Sequence, residues 1–135
     1  MQWDATPTGG FTAGEPWLPL VDPATRNVAA QTADPASLLS LYRRLIATRR
    51  ACAALRHGTH RSMFDVAPDV LAWVREAPGE RILVLLNVGD ETRHCNLGRV
   101  PERHGVVLVG TGDREGDVEL EGLVLQPLEG IALRL

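Results

Sequence analysis

Lysine is absent from this chain. All fourteen basic residues are arginine, set against seventeen acids, for a net charge of −3 and an isoelectric point near 5.8. The all-arginine usage reads as a coding bias without mechanistic content. A basic patch is also missing. Arg43-Arg44 and Arg49-Arg50 are spread round one segment among apolar neighbours, which argues against a nucleic-acid partner. No apolar run approaches the length of about twenty residues that a membrane-spanning helix needs. A basic stretch followed by an apolar core is lacking at the N-terminus, so no secretory signal is expected and cytoplasm is the default location. Two cysteines, Cys52 and Cys95, make no disulfide framework. They read as small buried hydrophobes. Internal repeats and low-complexity tracts are absent.

Aromatic residues are few, six in all, yet three of them fall in the opening MQWDATPTGGFTAGEPWLPL as Trp3, Phe11 and Trp17. They lie among Pro7, Gly9, Gly10, Gly14, Pro16 and Pro19, with neither helical nor strand period, so residues 1 to about 33 read as loop. Asp34-Pro35 then carries a helix-start signal: the Asp34 carboxylate as N-cap, Pro35 in the first helical position. The segment Asp34–His57 is predicted as one amphipathic helix. Leu38, Leu41, Tyr42, Leu45, Ile46, Cys52 and Leu55 form its apolar stripe, and Gly58 is its stop.

After Gly58 the period changes. Short apolar runs separated by Gly, Pro and Asp recur about every eight to twelve residues. The expected strands are Ser62–Val66, Val70–Arg75, Arg81–Val88, Thr92–Leu97, Val106–Gly110, Asp117–Leu120, Leu123–Leu125 and Gly130–Leu135. RILVLLNV reads as a strand covered on both faces. GIALRL alternates, with Ile131, Leu133 and Leu135 inward. The fold class is mostly β, an antiparallel β-sandwich preceded by a loop and one amphipathic helix.

MQWD, GGFTAGEPWLPL and ADPASLLSLYRRLIATRR resemble the C-terminal part of alpha-glucosidases and oligo-1,6-glucosidases, members of glycoside hydrolase family 13 in the alpha-amylase superfamily. RILVLLNVGDE and LVLQPLEGIALRL resemble that family's C-terminal β-sandwich. The resemblance implies that residues 1–59 are left over from the last βα loop and last helix of a (β/α)8 barrel. Residues 60–135 would be the C-terminal sandwich domain. Active sites of that barrel lie on loops at the C-terminal ends of the strands. Met1, Gln2, Trp3 and Asp4 match a segment near the mouth of the glucose pocket, so Gln2 and Trp3 are the candidate substrate-binding residues. An amide meets hydroxyls and a flat ring meets C–H edges. Phe11 and Trp17 are expected as packing anchors.

Retaining glycosidases need two carboxylates about 5 Å apart, and in the family these come from earlier barrel strands. Asp4, Glu15 and Asp22 match none of the catalytic positions. The expectation is therefore a C-terminal fragment of an alpha-glucosidase-like enzyme with no catalytic residue of its own, inactive alone. A truncated gene, a misassigned start and a split enzyme remain open as its origin. An α-glucoside or malto-oligosaccharide would be bound only through a complete barrel. Two alternatives stand beside this: a non-catalytic sandwich module acting in trans or binding glucan, and part of a trehalose synthase. No metal or cofactor is expected, since His94 and Cys95 are neighbours on a strand and point apart, and His57, His60 and His104 lie elsewhere. Asp90-Glu91 and Glu119/Glu121 read as solvated surface. The Leu38–Ile46 helix face is expected to drive self-association in a chain that lacks the barrel.

Overall fold

The computed structural model describes residues 1–135. It divides into two compact units, Met1–Leu45 and Ile46–Leu135. The boundary falls within a helix, upstream of the break at residue 59 that the sequence suggests.

The first unit is a long loop followed by two helical segments. Residues 28–33, read as loop from sequence, form a short helix, α1 (Val28–Ala33). Asn27 caps it: its Oδ1 accepts from the Ala30 amide at 2.8 Å. A helix this short spans too few residues to show an apolar period, so only the cap residue advertises it. The next helix, α2 (Leu38–Ala51), begins later than predicted. Ser37 supplies the cap, accepting from the Ser40 amide at 3.2 Å. Asp34 instead closes a turn with the Ala36 amide at 2.9 Å, which leaves Pro35 outside the helix.

The predicted single helix to His57 is interrupted. Cys52 is extended, with φ −104° and ψ 118°, and separates α2 from α3 (Ala53–His57). The cause lies in competing partners. The Glu80 carboxylate takes the Ala54 amide at 2.7 Å, and the Arg56 guanidinium occupies the Arg50 carbonyl at 3.3 Å. The groups that would continue the helix are satisfied elsewhere. Gly58 ends α3, but its φ of −64° is ordinary. Glycine is required there because an added Cβ would meet the carbonyl oxygens of Ala54 and Glu76, both at 2.5 Å.

All eight expected strands are present, in the second unit: β1 (Thr59–Met63), β2 (Val70–Ala77), β3 (Glu80–Asn87), β4 (Arg93–His94), β5 (His104–Gly110), β6 (Asp117–Glu119), β7 (Val124–Leu125) and β8 (Gly130–Arg134). Six pair in one antiparallel sheet of order β1-β2-β3-β8-β5-β6, and β4 pairs with β7 in a small second sheet. The expected mostly-β antiparallel fold is what the chain adopts. Between the two sheets lies the core. Val74, Leu83, Leu85, Ile131 and Leu133 of the large sheet pack with Cys95, Leu97, Leu123 and Leu125 on the other side. Burial of such side chains contributes roughly 1.5–3 kcal/mol each. As expected, β3 is covered on both faces: Leu83 and Leu85 point into the core, while Ile82, also fully buried, points to the opposite face. There α3 lies against β2 and β3. Arg75 fastens it by donating to the carbonyls of Ala54 at 3.2 Å and Gly58 at 2.9 Å. Ile131 and Leu133 face inward with Leu135 packed beside them.

Each strand's limits differ from the expectation by one residue or more, and most in β1, which runs from Thr59 rather than Ser62, and in β4. β1 ends before Val66 because Asp65 turns the chain in a left-handed conformation, φ 61°. β4 is short because its ladder with the β7 segment runs on for only one more bond before the chain changes partner. The Cys95 amide bonds Leu123 at 2.8 Å, and the Asn96 amide bonds Val66 at 2.8 Å.

Candidate functional site

The loop that carries Gln2 and Trp3 is held by hydrogen bonds within the first unit. The Gln2 side chain is turned into its own loop. Its Nε2 donates to the carbonyls of Val21 and Arg26, and its Oε1 accepts from the Val21 amide at 2.9 Å. Both amide hydrogens are thereby used, which leaves little for a ligand. The backbone carbonyls of Gln2 and Trp3 accept from the Val28 and Ala29 amides, each at 3.0 Å. Together with the Asn27 contacts, they satisfy the amides that the start of a helix leaves unpaired. Trp3 is 52% exposed. Of the candidate pair it is the more exposed residue.

Asp4 sits beside it. The Thr6 hydroxyl and then the Thr6 amide, both donating to Oδ1, hold the Asp4 carboxyl below its ordinary value. The Trp3 amide bonds the Gly9 carbonyl at 2.7 Å and the Gly10 amide bonds the Thr6 hydroxyl at 3.0 Å, closing a tight loop. Gly9 and Gly10 both have positive φ, 61° and 68°, a conformation that other residues adopt at a cost. An open groove of about 530 Å³ runs beside this loop, lined by Met1, Gln2, Asn27, Val28, Leu38 and Tyr42 among others.

The expected packing anchors are not buried. Trp17 is 87% exposed and Phe11 is also exposed. The buried positions of the first unit are Gly9, Asn27 and Ser37, and none is a large apolar residue. Glu15 is exposed, and the Asp22 carboxylate accepts from the Thr25 hydroxyl.

The remaining candidates lie on the second unit. Both cysteines are free and buried; burial, and secondarily the Glu129 carboxylate, push the Cys95 thiol up. His94 is exposed while Cys95 is buried, as strand neighbours should be. His60 stacks on Trp73 with centroids 6.0 Å apart, and His104 lies 3.1 Å from Asp117. Asp90, Glu91, Glu119 and Glu121 are solvated surface. Sequence reasoning missed Asn27, Gln31 and Ser37, which tie the loop and helices together. The Gln31 Oε1 accepts from the Leu39 amide at 3.0 Å, and the Ser37 hydroxyl donates to the Gln31 carbonyl at 2.6 Å. Asn27 placed just before an apolar residue was the available signal.

With this geometry in view, the likeness to known proteins falls into one group. Residues 1–58 match the family described as Alpha amylase, catalytic domain. Trehalose-6-phosphate hydrolase of Bacillus subtilis (strain 168) is 33% identical over 140 residues, covering 100% of this chain and 24% of that protein. Oligo-1,6-glucosidase of Parageobacillus thermoglucosidasius is 30% identical over 132 residues, covering 96% and 23% respectively. Among solved structures, trehalulose synthase from Pseudomonas mesoacidophila MX-45 superposes with a TM-score of 0.84 at 31% identity, over 98% of this chain and 24% of that one. The chain belongs to the alpha-amylase family of glycoside hydrolases. It spans about a quarter of the length of the relatives it matches. No helix is long and apolar enough to cross a membrane.

Proposed function

We propose that this chain is the C-terminal portion of an enzyme that hydrolyses α-glucosidic bonds. Residues 1–59 would be the last βα loop and last helix of its barrel, and residues 60–135 its C-terminal sandwich. The observation that carries the reading is the coincidence of two limits. The match to the catalytic domain stops at residue 58, and the large sheet starts at Thr59. The exposed apolar surface of the first unit fits the same picture, since a barrel would cover it. In that setting Trp3 stands at the pocket rim and offers its ring to a glucosyl unit, while Gln2 braces the loop behind it. The paired carboxylates of a retaining mechanism would come from the rest of the barrel. Cytoplasm is the proposed location, and self-association through the Leu38–Ile46 face is proposed for the chain by itself.

A second reading within the family is favoured by the likeness to the trehalulose synthase: the complete protein would rearrange a disaccharide. Product analysis separates the two. The complete protein given isomaltose or sucrose should release free glucose if it is a hydrolase, and a new disaccharide if it is a synthase. The isolated chain should turn over neither these sugars nor p-nitrophenyl α-glucoside. Turnover that survives repurification of the 135-residue chain would overturn the assignment of the catalytic groups to the rest of the barrel.

A further inference from the structure

The first unit has no large buried apolar residue, so its polar contacts must set where the site loop sits. Two side chains lie on the path from α1 to the site loop. Asn27 is 3% exposed and is fully engaged. Its Oδ1 accepts from the Ala30 amide at 2.8 Å, and its Nδ2 donates to Pro23 at 2.9 Å and Ala24 at 3.4 Å. This holds α1 against the turn at residues 22–26, where the Arg26 amide bonds Asp22 at 2.9 Å. The amides of Val28 and Ala29 at the start of α1 then bond the carbonyls of Gln2 and Trp3. Gln2 closes the ring through Val21 and Arg26. Trp3 is fastened at its carbonyl by α1 and at its amide by Gly9, while the residue stays half exposed.

We propose that Gln2 and Asn27 are positioning residues that fix the Trp3 ring for a glucosyl ligand: Asn27 by orienting α1, Gln2 by clamping the loop to the Val21–Arg26 turn. The proposal deepens the sugar-contact reading of Trp3 and rests on it. Neither side chain has hydrogens left over for the ligand, so their effect must pass through Trp3. Substitution should loosen ground-state binding and leave the chemical step alone.

The test uses the complete protein with p-nitrophenyl α-glucoside. Gln2→Ala and Asn27→Ala should each raise KM about fivefold, the loss of roughly one net hydrogen bond, with kcat within about twofold. Asn27→Ser keeps a capping acceptor for the α1 amides without setting an anion against the Pro23 and Ala24 carbonyls, and should recover part of the loss. Gln2→Glu faces two carbonyls with an anion and should not. Trp3→Ala is the control for the underlying reading. If it raises KM while the Gln2 and Asn27 variants do not, the positioning role is overturned and the sugar contact stands. If it leaves KM unchanged, the sugar contact fails and the inference fails with it. A fall in kcat at constant KM would also overturn it. A readout independent of activity covers variants too unstable to assay: the isolated chain with Trp17 and Trp73 replaced by Phe reports Trp3 alone. Its emission should become more quenchable by acrylamide in Gln2→Ala and Asn27→Ala, and return in part in Asn27→Ser, at constant far-ultraviolet sheet signal. Unchanged quenching overturns the proposal.

Discussion

Replacing Leu45 by Glu should abolish the self-association proposed for this chain by itself. No residue of α2 is buried, and four of its large apolar side chains are wet: Leu38 63%, Tyr42 57%, Leu45 41% and Ile46 48% exposed. Full burial of one such side chain is worth about 1.5–3 kcal/mol. The exposed fractions amount to about two side chains, so covering the stripe gains ~3–6 kcal/mol per copy by the same scale. Two copies facing each other would gain ~6–12 kcal/mol. Association costs at least about 4 kcal/mol in lost translational and rotational freedom. The surplus of ~2–8 kcal/mol corresponds to dissociation constants from micromolar to tens of millimolar. Sedimentation velocity across a series up to about 300 μM, scaled to that affinity range, should therefore show mass rising with concentration. Leu45→Glu places an anion in the stripe yet leaves the helix intact, because Glu four residues before Arg49 is a favourable pair on a helix. The variant should sediment as a monomer with unchanged helix content. A wild-type chain that stays monomeric at about 300 μM would hold the surplus below about 5 kcal/mol and refute the upper half of this range; a Leu45→Glu variant that associates as strongly as the parent would refute the reasoning outright.

Thr6→Val should let the Asp4 carboxyl rise toward its ordinary value near 4, because the hydroxyl that favours the ionised form is gone. The Asp4 contribution to loop order is fully present above the unfolded value and is lost as pH falls through the lowered folded one. The wild-type loop should therefore persist to lower pH than the Thr6→Val loop when the Asp4 carboxyl carbon is followed by NMR. Glu129→Ala should destabilise the second unit by ~2–4 kcal/mol in urea titrations. It leaves the half-buried Arg114 guanidinium and the Gln126 amide without their carboxylate, and breaking a fully buried pair costs roughly 3–5 kcal/mol. Glu129→Gln, which retains an acceptor, should lose less; equal losses would mean that the charge is irrelevant.

The sheet was legible because each strand's pattern agrees with its final environment. β3 reads as continuously apolar and is covered by the core on one side and α3 on the other; β8 alternates and buries Ile131 and Leu133 on one face. Strand limits were less legible where a single backbone angle, such as that of Asp65, or a change of partner, as at Asn96, decides them. The helix break at Cys52 depends on Glu80, distant in sequence, so no local pattern announces it. The site was legible only through resemblance. MQWD identifies the segment, but composition does not reveal that the Gln2 amide is spent on Val21 and Arg26. Nor could local pattern tell that Phe11 and Trp17 are not buried in this chain, since an aromatic side chain reads alike whether its partner is near in sequence or on another segment.

The two units are held together by different forces, and that difference has a measurable consequence. In the second unit, Val74, Leu83, Leu85, Leu125 and Leu133 are fully buried within one continuous core. Opening β3 there exposes the whole core, so its amides exchange only when that unit unfolds. In the first unit, the loop is ordered by hydrogen bonds at part-exposed sites, each worth about 1 kcal/mol net. No apolar burial couples them, so they can open one or two at a time. Hydrogen exchange on the isolated chain should thus show weak protection over residues 1–30 and strong protection over Arg81–Asn87. Within the loop, the amides of Val28, Ala29 and Ala30 should be the slowest, because they are shared between α1, the site loop and Asn27. Adding the rest of the catalytic domain should raise protection in the loop and leave β3 unchanged. Equal protection in both units of the isolated chain would mean that the loop has found an apolar partner, and would undercut the view that its exposed aromatics await a barrel.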